Sequence, residues 1–452
     1  MAAPATKWFT DARFGMFVHW GLYSIPAGIW DGRIMGRNWY AEWIQKQGNW
    51  PHGIPDEDYR ALARQFDPVQ FDADAWIALA KDAGMKYFLI TSKHHDGFAL
   101  WDSKVSDYTI CRQTPFKRDV LAELREACRR HGIVIGYYYS HWQDWDHIGG
   151  AKPPWPPKPG VPPIAQPSDE QFQQYWDEKC IPQVRELVAD YGAEFLWFDT
   201  WRKAEALTPE RLETLIAAVK DINPACLVNS RIGTTWNHPK GDELVDYLSM
   251  GDNQFPDHVI AKPWETSGTF NRSWGYHQRD HKWHSARELI RMLIDNASRN
   301  GNFQLNIGPM GNGAIPAASI KRLKEVGAWI DVNGEAIYAS MPYPGKEPEW
   351  GRITMKHTDD GITELFCVVY DFASRAQIEI PELEAEVGEA VVIETGEALS
   401  FEQRPTCFAV TVPEFCPDET AFVIKVTLKQ RLVSGLEAAD QSGEAFQSGI
   451  NW

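Results

Sequence analysis

Features that mark membrane proteins and nucleic-acid-binding proteins are missing from this 452-residue sequence. It contains no run of 18 apolar residues, and no charged-then-apolar segment opens it. The formal net charge is −17, whereas nucleic acid or an anionic membrane would require a positive surface. We therefore expect a soluble protein that binds neither. It would be cytoplasmic, or periplasmic or secreted if a signal peptide has been removed.

Patterns typical of disulfide, metal and nucleotide binding are also missing. The seven cysteines are odd in number, widely spaced and without a C-x-x-C pair, which argues against a disulfide framework or a zinc cluster. There is no H-x-H pair, no G-x-G-x-x-G motif and no Walker loop. We therefore expect an activity that uses no metal and no other cofactor.

Tryptophan, by contrast, is abundant: the chain has 21, beside 21 Phe and 15 Tyr. Aromatic rings fill hydrophobic cores. They also stack on the apolar C–H faces of sugars. Core packing explains most of these residues, and the surplus of tryptophan is consistent with a carbohydrate ligand.

Short apolar segments alternate with helix-like segments through most of the chain. The candidate strands are too apolar to have a wet face, which is typical of a parallel sheet buried on both sides. They are 14–20, 87–93, 134–140, 194–200, 226–231, 246–251 and 302–308. Helices are marked between them, for example by a capping box of Ser285 and Glu288. The alternation predicts an α/β fold, a (β/α)8-like TIM-type barrel with one poorly marked strand. A doubly wound open sheet is the alternative.

The pattern changes after about residue 345. Two alternating segments flank Asp360 and Gly361, which is a strong hairpin signal, and more alternating strands follow without helices between them. We predict a smaller C-terminal antiparallel β-sandwich. The expected domains are a catalytic barrel at 1–342, the sandwich at 343–430 and an unassigned tail at 431–452.

A proline-dense segment at 152–171 follows the third predicted strand. In a barrel this position is a βα loop on the active-site side, and proline stiffens such a loop. We predict an ordered flap there that contacts the leaving group of a substrate.

Polar or ionisable residues stand at the ends of five predicted strands. The carboxyl ends of barrel strands meet at one mouth, so these side chains would surround one pocket. They are His19, His94, His95, Tyr138, Asp199 and Arg231. Imidazole both donates and accepts hydrogen bonds, which suits sugar hydroxyls. A metal site is the less favoured interpretation, because adjacent histidines on a strand point to opposite faces.

Glycoside hydrolysis needs two carboxyl groups. Asp199 is the best candidate for the nucleophile, since it follows an apolar Leu-Trp-Phe run at the point where the barrel would open. For the general acid, Glu265 on a predicted loop competes with Glu42. Tryptophans near each of them, Trp274 and Trp43, can raise a carboxyl pKa by desolvation. The residues alone leave this choice open.

The chain resembles glycoside hydrolase family 29, the alpha-L-fucosidases, over about residues 8–340. The motifs occur in the expected order: ARFGMFVHWGLYSIPAG, WYAEW, DAWIALAKDAGMKYFLITSKHHDGFALWDS, IGYYYS, LWFD, WETSGTFNRSWGY, NFQLNIGPMGNGAIP and GAWIDVNGEAIYAS. The resemblance implies a retaining enzyme that removes terminal alpha-L-fucose from fucosylated glycans or glycosides through a covalent fucosyl-enzyme. An alpha-L-galactosidase on the same scaffold and a non-catalytic fucose-binding protein are the alternatives.

The resemblance also implies roles for individual residues. Asp199 matches the nucleophile, and Glu265 matches the acid/base of several members. Thr200 stands where the family has glycine, which could narrow the pocket. The residues implied to hold the sugar are His19, Glu42, Trp43, His94, His95, Tyr138, Arg231 and Trp274.

Overall fold

A computed structural model describes residues 4–35, 39–46, 53–153, 164–370, 376–404, 407–416 and 418–437. Its strands are β1 (Phe14–Val18), β2 (Ile29–Trp30), β3 (Arg33–Ile34), β4 (Tyr87–Lys93), β5 (Val134–Tyr139), β6 (Phe195–Phe198), β7 (Leu227–Val228), β8 (Leu248–Ser249), β9 (Trp264–Thr269), β10 (Gly301–Ile307), β11 (Met341–Pro342), β12 (Gly351–His357), β13 (Thr363–Val369), β14 (Gln377–Pro381), β15 (Val387–Val392), β16 (Phe401–Gln403), β17 (Cys407–Thr411) and β18 (Phe422–Leu428).

The α-helices are α1 (Lys7–Ala12), α2 (Asp56–Ala61), α3 (Ala73–Asp82), α4 (Ile110–Gln113), α5 (Val120–His131), α6 (Asp169–Tyr175), α7 (Ile181–Ala189), α8 (Pro209–Lys220), α9 (Thr234–Asn237), α10 (Ala286–Ser298) and α11 (Ala317–Asn333). Among the described residues, none of the helices combines the length and the apolar character needed to cross a membrane.

Eight parallel strands form one curled sheet in the order β7-β6-β5-β4-β1-β10-β9-β8. The two end strands are joined by a parallel bridge between Asn229 and Tyr247. The backbone N–H of Ser230 also donates to the Tyr247 carbonyl at 3.0 Å. This closure produces the (β/α)8 barrel that the sequence predicts, and it excludes the open doubly wound sheet.

The local signals in the sequence act as expected at the helix starts. The Asp72 side chain accepts a hydrogen bond from the Ala75 N–H at the start of α3, and Ser285 and Glu288 form a capping box at the start of α10. Such caps satisfy backbone N–H groups that have no partner within the helix. Every residue of β1, β4 and β10 is buried, as expected for strands covered on both faces.

The sequence pattern does not reveal β9, because this strand reads Trp-Glu-Thr-Ser-Gly-Thr. We interpreted that polar stretch as a loop, and this prediction is wrong. All six residues are buried between β8 and β10. Polar side chains are tolerated inside the barrel because neighbouring strands satisfy them: the Ser267 hydroxyl donates to Gln304 Oε1 at 3.0 Å.

The C-terminal region consists of antiparallel sheets, as predicted. A five-stranded sheet has the order β11-β12-β13-β18-β15, and a three-stranded sheet has the order β14-β17-β16. A second apolar core lies among these strands. The predicted hairpin joins β12 and β13, and Gly361 in its turn has a φ of +77°, a conformation that glycine adopts readily. The boundary at 342/343 stays a prediction; β11 already pairs with β12.

The predicted flap at 152–171 lies partly outside the described residues, which omit 154–163. Its described ends are held in place. The Lys152 ammonium donates to the carbonyls of Asp144, Trp145 and His147 at 2.7–3.1 Å. On the other side, Ser168 caps α6. The order of the segment between them stays a prediction.

The C-terminal sheet packs on helix α11 of the barrel. Phe366, Val368 and Val423 belong to the same apolar core as the barrel residues. Trp329 on α11 is 3% exposed, and its indole N–H donates to the Ala421 carbonyl at 2.7 Å. The sheet therefore covers apolar surface that an isolated barrel would expose to water.

We predict that Trp329→Ala lowers the free energy of unfolding by about 3–5 kcal/mol, because it removes a large buried side chain and leaves the Ala421 carbonyl without its partner. Urea unfolding followed by circular dichroism measures the change. Val332 lies on the same helix but is 41% exposed, so Val332→Ala is the matched control and should change stability by less than about 1 kcal/mol. Equal effects of the two substitutions would contradict this account of the contact.

Candidate active site

The sequence-predicted residues come together at the carboxyl ends of the barrel strands. His19 directly follows β1, His94 and His95 directly follow β4, and Asp199 directly follows β6. Tyr138 lies near the end of β5, and Arg231 lies three residues beyond β7. Since all eight strands are parallel, these side chains share the mouth of the barrel.

Asp199 is held by two donors, one on each carboxylate oxygen. The Tyr138 hydroxyl donates to Oδ2 at 2.8 Å, and Arg231 Nη2 donates to Oδ1 at 2.5 Å. His95 Nε2 lies 3.4 Å from Oδ2. Only 7% of Asp199 is exposed, so the carboxylate is fixed in one orientation in a poorly solvated position. The ion pair with Arg231 compensates the cost of burying this carboxylate.

Arg231 links Asp199 to a second carboxylate, Asp252. Its Nη1 donates to Asp252 Oδ1 at 2.8 Å, and the guanidinium carbon lies 4.7 Å from the centroid of the Trp197 ring. One planar guanidinium therefore holds both acids. Asp252 was not among the predicted site residues, although it lies three residues beyond β8. It directly follows the predicted strand 246–251, so its position carries the same strand-end signal as that of Asp199.

The three histidines form a cluster at the mouth. The ring centroids of His94 and His95 are 4.3 Å apart, and those of His19 and His94 are 5.6 Å apart. The His94 ring stacks on Tyr138 at 5.2 Å. Burial lowers the pKa of all three imidazoles, so the rings are neutral at physiological pH.

Glu42 and Trp274 occupy the same side of the mouth. Glu42 is 1% exposed, and its Oε2 accepts a hydrogen bond at 2.9 Å from the Gly275 N–H, directly after Trp274. Its Oε1 is buried without a partner among the described residues. Burial raises the pKa of Glu42 to about 8. The Trp274 ring lies 5.2 Å from His19, so it forms a wall of the pocket.

A group of indole rings lies beside His95, and we call it the indole wall: Trp43, Trp145 and Trp201. The Trp43 ring is 5.1 Å from Trp145 and 5.7 Å from Trp201, and Trp43 is 5.0 Å from His95. The sequence predicted only Trp43. Trp145 and Trp201 were missed because they lie beyond the strand ends, in segments without a recognisable pattern. Flat apolar rings of this kind suit the C–H face of a sugar.

Glu265 lies in a strand of the barrel and not on the loop that we expected. It is the second residue of β9 and has no exposed surface. Its Oε1 accepts hydrogen bonds from Trp197 Nε1 at 2.6 Å and from the Ser249 hydroxyl at 3.0 Å. Its Oε2 is buried without a partner among the described residues. Desolvation raises the pKa of Glu265 to about 8. The carboxyl is therefore neutral at pH 7 and supports Trp197 from inside the barrel.

Thr200, where the resemblance implies a departure from glycine, is fully buried. Its hydroxyl lies 3.3 Å from His141 Nε2. Its methyl and hydroxyl lie close to Gly233. The extra side chain is therefore accommodated against these two residues.

A buried ion cluster supports the histidine turn from behind. Lys93 and Lys179 both bind Asp144 Oδ2, at 3.0 and 2.8 Å, and neither Lys93 nor Asp144 is exposed. The cluster carries one excess positive charge. Burial is the main cause of the low pKa of His95, and the charge of Lys93 lowers this pKa further. The cluster also connects to the indole wall, because Trp145 directly follows Asp144.

The arrangement brings three metal-type ligand atoms together, one each from His94, His95 and Asp199, within 4.8 Å of one another. His94 and His95 do not point to opposite faces as expected for adjacent strand residues, because both lie beyond the last residue of β4, in a turn. Both oxygens of Asp199 are nevertheless engaged, one by the cationic Arg231. A metal cation would have to compete with the guanidinium for the Asp199 carboxylate, whereas a neutral sugar would not.

The fold and the site together define a class of protein. The mouth of a (β/α)8 barrel holds a fixed carboxylate, further acids, neutral imidazoles and indole rings. Paired carboxyl groups beside hydroxyl-binding and sugar-stacking side chains are typical of glycoside hydrolases.

Comparisons with known proteins identify the family. The alpha-L-fucosidase family profile matches residues 1–335. Plasma alpha-L-fucosidase of Rattus norvegicus is 31% identical over 358 residues, covering 74% of this chain and 71% of the rat protein. The chain therefore belongs to the alpha-L-fucosidases, glycoside hydrolase family 29.

Solved structures agree with this assignment. Alpha-L-fucosidase isoenzyme 1 from Paenibacillus thiaminolyticus has a TM-score of 0.79 and 32% identity, covering 94% of this chain and 99% of that chain. A family 29 alpha-L-fucosidase from Bacteroides thetaiotaomicron, solved as a trapped covalent intermediate with 2-fluoro-fucosyl fluoride, has a TM-score of 0.82 and 28% identity, covering 95% and 97%.

We predict that Glu265 makes stability depend on pH. Its folded-state pKa of about 8 lies above its ordinary value of 4.5. Between these values the unfolded chain releases a proton that the folded protein keeps, so stability falls as pH rises from about 4.5 to 8. Glu265→Gln stays neutral at every pH. Its free energy of unfolding relative to the wild type should therefore be higher at pH 8 than at pH 5, by at least about 1 kcal/mol.

Urea unfolding at pH 5, 6.5 and 8 measures this difference. Glu389→Gln, at an exposed position in the C-terminal sheet, is the control and should follow the wild type at each pH. A Glu265→Gln curve parallel to the wild type would show that the buried carboxyl ionises without cost.

Proposed function

We propose that this alpha-L-fucosidase hydrolyses terminal alpha-L-fucosides of glycans or glycosides with retention, and that Asp199 is its nucleophile. The observation that carries the proposal is the fixed carboxylate of Asp199 at the barrel mouth, between Arg231 and Tyr138. A carboxylate held in this way can attack the anomeric carbon and form a covalent fucosyl-enzyme, which water then hydrolyses.

The surrounding side chains can bind the sugar. Neutral His19, His94 and His95 offer hydrogen bonds to ring hydroxyls, and buried polar groups that lose their partners disfavour sugars with a different hydroxyl pattern. Trp274 and Trp43 supply apolar faces, and Glu42 is a further hydrogen-bonding group. No observation favours an alpha-L-galactosidase or a non-catalytic fucose-binding protein over the fucosidase.

The acid/base can be chosen by solvent contact, since this group protonates the leaving oxygen and then activates water. Glu265 has no exposed surface and Glu42 is 1% exposed, whereas the Asp252 side chain is 36% exposed. We propose Asp252 for this role. Glu265 and its rival Glu42, the candidates predicted from the sequence, are kept as alternatives. The azide experiment described below distinguishes the three candidates.

Arg231 connects Asp252 to the second step of the reaction. Before reaction the guanidinium is shared by two carboxylates. When Asp199 becomes an ester it loses its charge, and the guanidinium then acts on Asp252 alone. A positive charge at this position suits a carboxylate that acts as general base when water attacks the fucosyl-enzyme.

We predict that Asp199→Asn and Asp199→Ala lower kcat for a nitrophenyl alpha-L-fucoside at least about 1,000-fold, because both remove the carboxylate that forms the ester. Nitrophenol release measures kcat, and circular dichroism confirms folding. Asp190→Asn, an exposed aspartate on the outer face of the barrel, is the control. Turnover of the Asp199 variants near that of the control would refute the nucleophile assignment.

We predict that azide rescues Asp252→Ala with an activated aryl fucoside and gives alpha-fucosyl azide, because azide attacks the covalent intermediate without needing a base. Azide on Asp199→Ala should instead give the beta-azide, since it replaces the nucleophile. Proton NMR of the products distinguishes the two anomers. If alpha-azide forms with Glu265→Ala or Glu42→Ala and not with Asp252→Ala, that residue is the acid/base.

A further inference from the structure

His95 has its ring proton fixed by a chain of two hydrogen bonds. The Ser140 hydroxyl lies 2.8 Å from the Gln143 carbonyl and 2.6 Å from His95 Nδ1. A carbonyl can only accept, so the single hydroxyl proton of Ser140 goes to Gln143. The hydroxyl oxygen must then accept from His95, which places the imidazole proton on Nδ1. The remaining nitrogen, Nε2, lies 3.4 Å from Asp199 Oδ2, beside the reacting position.

His19 is fixed in the same way by a different partner. Asn306 Nδ2 donates to the Trp274 carbonyl at 2.8 Å, which sets the orientation of the amide. Its Oδ1 therefore faces His19 Nδ1, at 2.6 Å, and this oxygen can only accept. The His19 proton is thus also on Nδ1. The two histidines follow different strands, β1 and β4, and unrelated residues impose the same tautomer on both.

We propose that Ser140 and Asn306 are positioning residues that hold His95 and His19 in the Nδ1–H tautomer, so that both rings offer only Nε2 acceptors to sugar hydroxyls. The inference rests on the proposed function for the identity of the ligand. It deepens that function, because the pocket then requires hydroxyl donors at two positions of the sugar.

The surroundings also oppose a second proton on either ring. Burial lowers the pKa of His19 to about 4, with Asn306 and Asp199 opposing that shift. The pKa of His95 is lowered well below its ordinary value by burial, and then by Lys93 and Arg231. A doubly protonated ring would donate from Nε2, and the acceptor role would be lost.

His94 differs from its two neighbours. Its Nδ1 is buried with no partner among the described residues, and its ring stacks on Tyr138. No hydrogen bond in the described part of the chain selects its tautomer. The cluster therefore contains two rings of fixed polarity and one that can adapt to the ligand.

Nitrogen-15 NMR of histidine-labelled wild-type protein tests the inference without turnover. The pocket signals are assigned by their loss in His19→Gln and His95→Gln. We expect both residues to show a protonated Nδ1 and an unprotonated Nε2 at pH 7. Protonated Nε2 on either ring would overturn the proposal for that ring. Should either variant fail to fold, neutron diffraction from a deuterated crystal locates the same protons.

Substitution of Ser140 gives a second test. Ser140→Ala should convert the His95 signals to a mixture of tautomers and lower kcat/KM about 10–100-fold, mainly through KM, because the sugar is bound less well. Ser140→Thr keeps the hydroxyl and should restore the wild-type signals. Ser92→Ala is the matched control, since the fully buried Ser92 hydroxyl donates to the Tyr138 carbonyl and has no hydrogen bond to a histidine among the described residues.

The outcomes separate this inference from the proposed function. If Ser140→Ala leaves the His95 signals unchanged, the positioning role is refuted even when activity falls. If the signals change as expected while Asp199→Ala keeps full activity, the tautomer assignment holds and the assigned reaction fails.

Discussion

The charge pair of Asp199 and Arg231 is the constraint on which the rest of the site depends. A carboxylate that is 7% exposed needs a compensating partner, and the guanidinium supplies it at 2.5 Å. Arginine suits this position because its planar fork can hold Asp199 and Asp252 at once. The same charge adds a minor contribution, after burial and Lys93, to the low pKa of His95. The orientation of the Asp199 carboxylate and its link to a second acid thus follow from one side chain.

The neutral character of the pocket follows from its burial. The imidazoles, Glu42 and Glu265 lie where ionisation is costly, so they bind or support as uncharged groups. Charge is concentrated on the Asp199–Arg231–Asp252 unit and on the lysine–aspartate cluster behind His95. A site of this kind presents hydrogen bonds and indole faces to a neutral sugar, and the proposed function assigns one of its carboxylates to covalent chemistry.

Much of this could be predicted from the sequence, because strand ends in a parallel barrel carry a strong signal. His19, His94, His95 and Asp199 each follow an apolar run, and the closed barrel brings such positions together. Glu265 was misplaced because its strand is polar, and polarity suggests a loop unless the partners across the barrel are known. Asp252 directly follows the predicted strand 246–251, so its position carried a signal, but its pairing with Arg231 is visible only in the structure. Contacts between distant segments are not visible in local patterns.

The most direct test of the central claim is to identify the residue that bonds to the sugar. The protein would be treated with 2-fluoro-fucosyl fluoride, digested and mapped by mass spectrometry. The account predicts one fluorofucosyl group per chain, attached to Asp199. A label on Glu265, Asp252 or Glu42, or inactivation without a covalent label, would contradict it.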